Sequence, residues 1–166
     1  MSVATDYCTC KYRHCLHGDS KKLLKSEAVK VGSAYYHPDC YETKQTIAEI
    51  IDYFTKEINP DVIHMILMKT INNIVFPNGK HGVPAERLLF QLKYYCTHGH
   101  KIQYPAGLYY ALQNREAFEA YKKYKAQQAL KKRDPSFRID DEQNKSKEGV
   151  VRFKKPKGFE DIVKGE

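Results

Sequence analysis

Four of the chain's five cysteines and three of its seven histidines fall in the first 42 residues, and no other feature limits the possible folds as tightly. The natural grouping is Cys10-x4-Cys15, then 21 residues, then His37-x2-Cys40. Zinc takes four soft or borderline donors at the corners of a tetrahedron. Two short pairs on separate segments supply them once the chain between folds back. A segment of this length cannot bury enough apolar surface to fold unaided, so a metal takes the place of a core. The expectation is therefore a structural Zn2+ held by Cys10, Cys15, His37 and Cys40. Cys8 and His17 stand in reserve, and His14 is a further alternative. The spacing leaves open whether Cys8 or Cys10 is the ligand. The competing reading is a set of free thiols and surface histidines. Cys96 lies on an apolar helix face and reads as a core thiol.

Between the two pairs, Ala28-Val29-Lys30-Val31 and Ala34-Tyr35-Tyr36 flank Gly32-Ser33, the pattern of a short hairpin with glycine at its turn. The second pair stands directly before a predicted helix. That position puts Cys40 near a helix N-terminus, where the backbone dipole favours a thiolate. The run Lys30-Val31-Gly32-Ser33-Ala34-Tyr35-Tyr36-His37-Pro38-Asp39-Cys40-Tyr41 resembles the LIM and poly(ADP-ribose)-polymerase families of zinc fingers. The resemblance covers about a fifth of the chain and implies a treble-clef-like knuckle, hairpin and helix. Two features depart from it: those families open with Cys-x2-Cys rather than x4, and a LIM domain carries a second module.

Residues 43 to 133 read as helices. Thr43 is a candidate cap for a helix burying Ile47, Ile50, Ile51, Phe54 and Ile58. Asn59-Pro60 predicts a second helix start, Pro84 a third, and Pro105 a last long segment reaching about Lys132. Beyond Asp134 the composition turns to Lys, Asp, Glu, Gly and Pro. The expected fold is mainly α: a zinc-binding ββα module (1–42), a bundle of about four helices (43–133), and a flexible basic tail (134–166). With no secretory pattern and no apolar run of membrane-spanning length, a cytoplasmic protein without a membrane partner is expected.

Charge points toward a partner. The net charge is +8, and from residue 120 onward 14 Lys/Arg stand against 8 Asp/Glu. The last helix carries Arg115, Lys122, Lys123, Lys125, Lys131, Lys132 and Arg133, interleaved with Tyr109, Tyr110, Tyr121 and Tyr124. Cations neutralise phosphates while tyrosines stack on bases, so nucleic acid, DNA ahead of RNA, is the expected partner. The plainer alternative is a solvated helix face with a tyrosine core stripe. Leu88 to Tyr95, with Gly99 and Tyr104-Pro105-Ala106-Gly107-Leu108, resembles the C-terminal helical modules of DnaD-like replication proteins. That resemblance implies contact with DNA or the replication apparatus. The whole arrangement is similar to small phage or prophage proteins, which implies a role in phage or mobile-element DNA metabolism. A protein-interaction adaptor or inhibitor acting on a host protein is the rival. No Walker loop, nucleophile elbow, Rossmann glycine set or deaminase signature occurs, so no enzyme, catalytic residue or small-molecule substrate is expected.

Overall fold

The computed structural model describes residues 6–18 and 20–133, without the side chain of Arg133. The expected tail at 134–166 lies outside the described residues. Residues up to Lys123 belong to one compact unit and those from Tyr124 to another. The fold is mainly helical, with a small region of hairpins at the N-terminus.

The first hairpin pairs β1 (Tyr7–Thr9) with β2 (Lys22–Leu24), Thr9 opposite Lys22. The second pairs β3 (Val29–Val31) with β4 (Ala34–Tyr36), Val31 opposite Ala34. Its two-residue turn needs a left-handed first residue, and Gly32 supplies it at φ 59°. Three-residue strands are too short to stand alone; one backbone bond extends the β1–β2 pairing and a second joins it to the other hairpin. The Cys10 N–H donates to the Lys21 carbonyl at 2.8 Å, and the Lys11 N–H to the Tyr35 carbonyl at 2.9 Å. The end of β1 is thus held between the two hairpins.

Five helices follow: α1 (Pro38–Tyr53), α2 (His64–Val75), α3 (Ala85–Thr97), α4 (Gly107–Gln113) and α5 (Arg115–Arg133). The last turn of α1 widens into a π-helical segment, Phe54–Ile58, closed by the Asn59 N–H on the Phe54 carbonyl at 2.9 Å. Ile47, Ile50 and Phe54 meet Leu67, Ile71 and Ile74 of α2, Leu88 and Leu92 of α3, and Leu108 and Ala111 of α4. Gln91 is fully buried among them. Its amide is satisfied by the Arg87 Nε–H, donating at 2.7 Å, and by the Leu112 carbonyl, accepting at 3.3 Å.

Several boundaries differ from the sequence reading. The first helix starts at Pro38 rather than Thr43, with His37 as its cap residue and proline in its first turn. The expected boundary at 42 and 43 therefore falls inside α1. At Asn59-Pro60 a turn forms, with the Asp61 N–H donating to Asn59 Oδ1 at 2.9 Å. The helix itself begins only at His64, after an extended Ile63, while the Asn59 side-chain N–H donates to the Gln103 carbonyl at 2.8 Å. The single long segment from Pro105 is two helices. Asn114 ends α4 in an extended conformation and caps α5, its Oδ1 accepting the Ala117 N–H at 2.8 Å.

The hairpins and the helical core meet along an aromatic seam. His14 stacks on Phe76 at 4.6 Å between ring centroids, and Tyr12 meets Phe76 edge-on at 6.1 Å. The His81 Nε2–H donates to the Leu16 carbonyl at 3.1 Å. Tyr12 and Leu16 pack against both buried clusters, the cysteine-rich one and the helical one.

Phe54→Ala should cost about 3–5 kcal/mol, the range for emptying a buried aromatic site. Asn114→Ala should cost about 1 kcal/mol through removal of the cap. Urea unfolding of the two variants against the parent chain measures both. Equal midpoints for Phe54→Ala and the parent would contradict the assigned core.

Candidate metal centre

Each of the four expected donors arrives by a different local device. Cys10 directly follows β1, where its backbone is pinned by the bond to Lys21. Cys15 closes the four-residue loop that follows, and Gly18, left-handed at φ 57°, turns the chain back toward β2. His37 is the cap residue of α1 and Cys40 lies in its first turn. The four are buried, with relative exposures of 3% for Cys10, 9% for Cys15, 8% for His37 and 0% for Cys40.

Their donor atoms all lie within 4.8 Å of one another. Cys15 Sγ is 3.5 Å from His37 Nδ1 and 3.8 Å from Cys40 Sγ, and Cys40 Sγ is 3.8 Å from His37 Nδ1. These lengths can be set against those of a zinc site. With zinc–sulfur bonds of about 2.3 Å and zinc–nitrogen bonds of about 2.0 Å, a tetrahedron has sulfur–sulfur edges of about 3.8 Å and sulfur–nitrogen edges of about 3.5 Å. The buried group is arranged as a possible metal site, with His37 presenting Nδ1.

The surroundings fit the same chemistry. The Leu16 N–H points at Cys40 Sγ from 3.3 Å, a donor that steadies negative charge on sulfur. Burial, and secondarily the neighbouring His17, pushes His37 below the ordinary imidazole range, against a weaker opposing pull from Asp39. A neutral imidazole is the ligand form. Burial first, with the adjoining Cys15 and Cys10 thiols adding to it and the Leu16 N–H opposing, pushes the Cys40 thiol up to about 12. Thiols packed this closely cannot share negative charge without a cation among them.

Cys8 and His17 do not join the four. Cys8 Sγ donates instead to the Leu23 carbonyl at 3.6 Å. Cys8 is the middle residue of β1, paired with Leu23 of β2, whereas Cys10 lies one step beyond the strand's end, where the chain passes to Tyr35 of β4. His17 stacks on the His37 ring at 3.9 Å and meets the Asp39 carboxylate at 3.0 Å. Partial burial works against the Asp39 carboxylate, but hydrogen bonds from His17 and from the Cys40 N–H outweigh it and hold its pKa below the usual value. His17 and Asp39 thus brace the outer edge of His37. The sequence carried a signal for Asp39, an acid in the first turn of a helix. It carried none for the Leu16 backbone.

The basic set lies elsewhere. Arg115, Lys122 and Lys123 are exposed on α5. Lys122 pairs with Glu119 at 3.0 Å and sits over the Phe118 ring at 4.5 Å. Farther along α5, Lys125 and Lys132 are exposed and Lys131 is half-buried, while the Arg133 side chain lies outside the described residues. Among the described residues, no helix is long and apolar enough to cross a membrane. No protein-family model, curated protein or solved structure matches the chain.

Purified Cys10→Ser, Cys15→Ser and His37→Ala chains should lose bound metal, whereas Cys8→Ser should keep the parent's content by elemental mass spectrometry. Loss in Cys8→Ser with retention in Cys10→Ser would reverse the assignment. Because Cys40 must give up its proton to bind, loading the metal-free chain with zinc should release protons, and affinity should fall as pH falls. Calorimetry in buffers of different ionisation enthalpy reads that release directly.

Proposed function

We propose that the chain is a non-enzymatic nucleic-acid-binding protein whose N-terminal module is held by one structural zinc ion. The zinc assignment rests on the edge lengths among Cys15, His37 and Cys40 and on the four-donor closure. Four protein donors leave no open position for substrate or water, which is the mark of a structural rather than a catalytic site. The resemblance to LIM and poly(ADP-ribose)-polymerase fingers agrees with that role.

The observation that carries nucleic-acid binding is the set of exposed cations on α5. Arg115 and Lys123 form no ion pair among the described residues, and Lys122 is held by the exposed Glu119 and by the face of the Phe118 ring. An exposed pair of that kind is worth little and yields readily to a phosphate. Duplex or single-stranded DNA is the favoured ligand, consistent with the resemblance of the 88–108 segment to DnaD-like modules and with a place in phage or mobile-element DNA metabolism.

A second reading has its own support. Met65 is 76% exposed and Tyr104 70%, and Ile63, Tyr109 and Tyr110 are also exposed. Large apolar side chains left in water suit an adaptor or inhibitor that grips a host protein.

Salt separates the two. Binding to DNA should weaken steeply between about 50 and 200 mM salt. Lys122→Ala with Lys123→Ala should reduce the log–log slope by about 0.7–0.9 for each phosphate no longer neutralised. Fluorescence anisotropy with labelled oligonucleotides measures this. Absence of DNA and RNA binding at the lowest salt would remove the nucleic-acid reading and leave the protein partner.

A further inference from the structure

A cavity of about 360 Å³ opens between the loop joining Cys10 to Cys15 and the first two helices. Its helical wall is a single stripe of α1, Lys44, Ile47, Ala48 and Ile51, spaced one or two turns apart on one face. Met68 and Asn72, four residues apart on α2, form a second wall. Tyr12, Arg13 and His14 of the ligand loop form the third. The surface is overwhelmingly carbon, and Ala48 is the small residue that leaves the space open. The volume is at the small end of ligand pockets and accommodates an aromatic or branched apolar group.

The charge around this cavity has one sign. Arg13 and Lys44 contribute to its lining and no carboxylate does. Neither forms an ion pair among the described residues. Lys44 instead donates to the Tyr36 hydroxyl at 3.3 Å and lies over that ring at 4.7 Å, partners that leave its charge unmatched. The His14 ring, also in the lining, is stacked on Phe76.

We propose that this cavity is a binding site for an apolar group with an adjoining carboxylate. The apolar group fills the space between Ile47, Ile51 and Met68, and the carboxylate lies at the Arg13 and Lys44 edge. A free aryl or branched-chain acid and the C-terminal residue of a peptide present the same chemistry. The site is distinct from the α5 cations and does not depend on nucleic-acid binding.

The test uses the full chain as purified, titrated with 4-phenylbutyrate, with the neutral 4-phenylbutan-1-ol and with 4-phenylbutylamine. Methyl chemical shifts of Ile47, Ile51 and Met68 report binding. The acid should bind saturably and about five-fold or more tightly than the alcohol, with the amine weakest, because two part-exposed cations contribute modestly. Arg13→Ala and Lys44→Ala should each bring the acid toward the alcohol's affinity while leaving the alcohol unchanged. Ala48→Leu, a change at an exposed helical position that fills the space, should abolish binding of all three. A hexapeptide ending in phenylalanine, free or amidated at its C-terminus, separates the two sources. Tighter binding of the free-acid peptide than of phenylbutyrate assigns the site to a chain terminus, and exclusion of the peptide assigns it to a small acid. Non-saturable shifts, equal affinity for acid and amine, or unaltered binding in Ala48→Leu would overturn the proposal.

Discussion

Four donor atoms within 4.8 Å of one another set the conditions under which the rest of the N-terminal region can be ordered. Its strands are three residues each, and its buried cluster consists of Cys10, Cys15, Leu23, Tyr36 and Cys40. Only two of those five are ordinary core side chains. Apolar burial on this scale yields a few kcal/mol, while ordering each residue costs about 1–2 kcal/mol of backbone entropy. The proposed metal, held by four ligands, would contribute on the order of 10 kcal/mol and make up that difference.

The same centre sets the start of the helical part. Cys40 is in the first turn of α1, and Ile47, Ile50 and Phe54 farther along the same helix are in the main core. One rigid element thus belongs to both regions. In the proposed zinc form, a dication with three thiolates and a neutral imidazole at the start of this helix would carry a net charge of about −1. The positive end of the helix dipole and the Leu16 N–H both favour that charge.

How much of this was readable depends on how local each signal is. The β3–β4 hairpin announced itself through Gly32-Ser33 between β-branched and aromatic residues, and α3 through Pro84. The ligand pairs were legible because zinc dictates residue type and spacing together. The β1–β2 hairpin was not, because its strands are joined by the ligand loop rather than by a turn with its own residue signature. The start of α1 was misplaced because His37, a donor rather than a usual capping residue, occupies the cap position. The break at Asn114 was readable in principle, since asparagine caps helices, but apolar residues on both sides continue the helical period through it. The Cys8 and Cys10 ambiguity needed the point at which β1 ends, which the sequence does not mark. The cavity lined by three separate segments leaves no trace in any of them alone.

The loop from Lys11 to His14 has two attachments. Its ends are the ligands Cys10 and Cys15, and its side chains Tyr12 and His14 pack on Phe76 while Arg13 edges the cavity. With the proposed ion bound, a segment clasped by it at both ends and walling the proposed cavity site would couple the two thermodynamically. Whatever stabilises the loop's closed form on one side raises affinity on the other by the same factor. A chelator or an oxidant acting on the thiols would then release a ligand it never touches, and an occupied cavity would slow the escape of the ion.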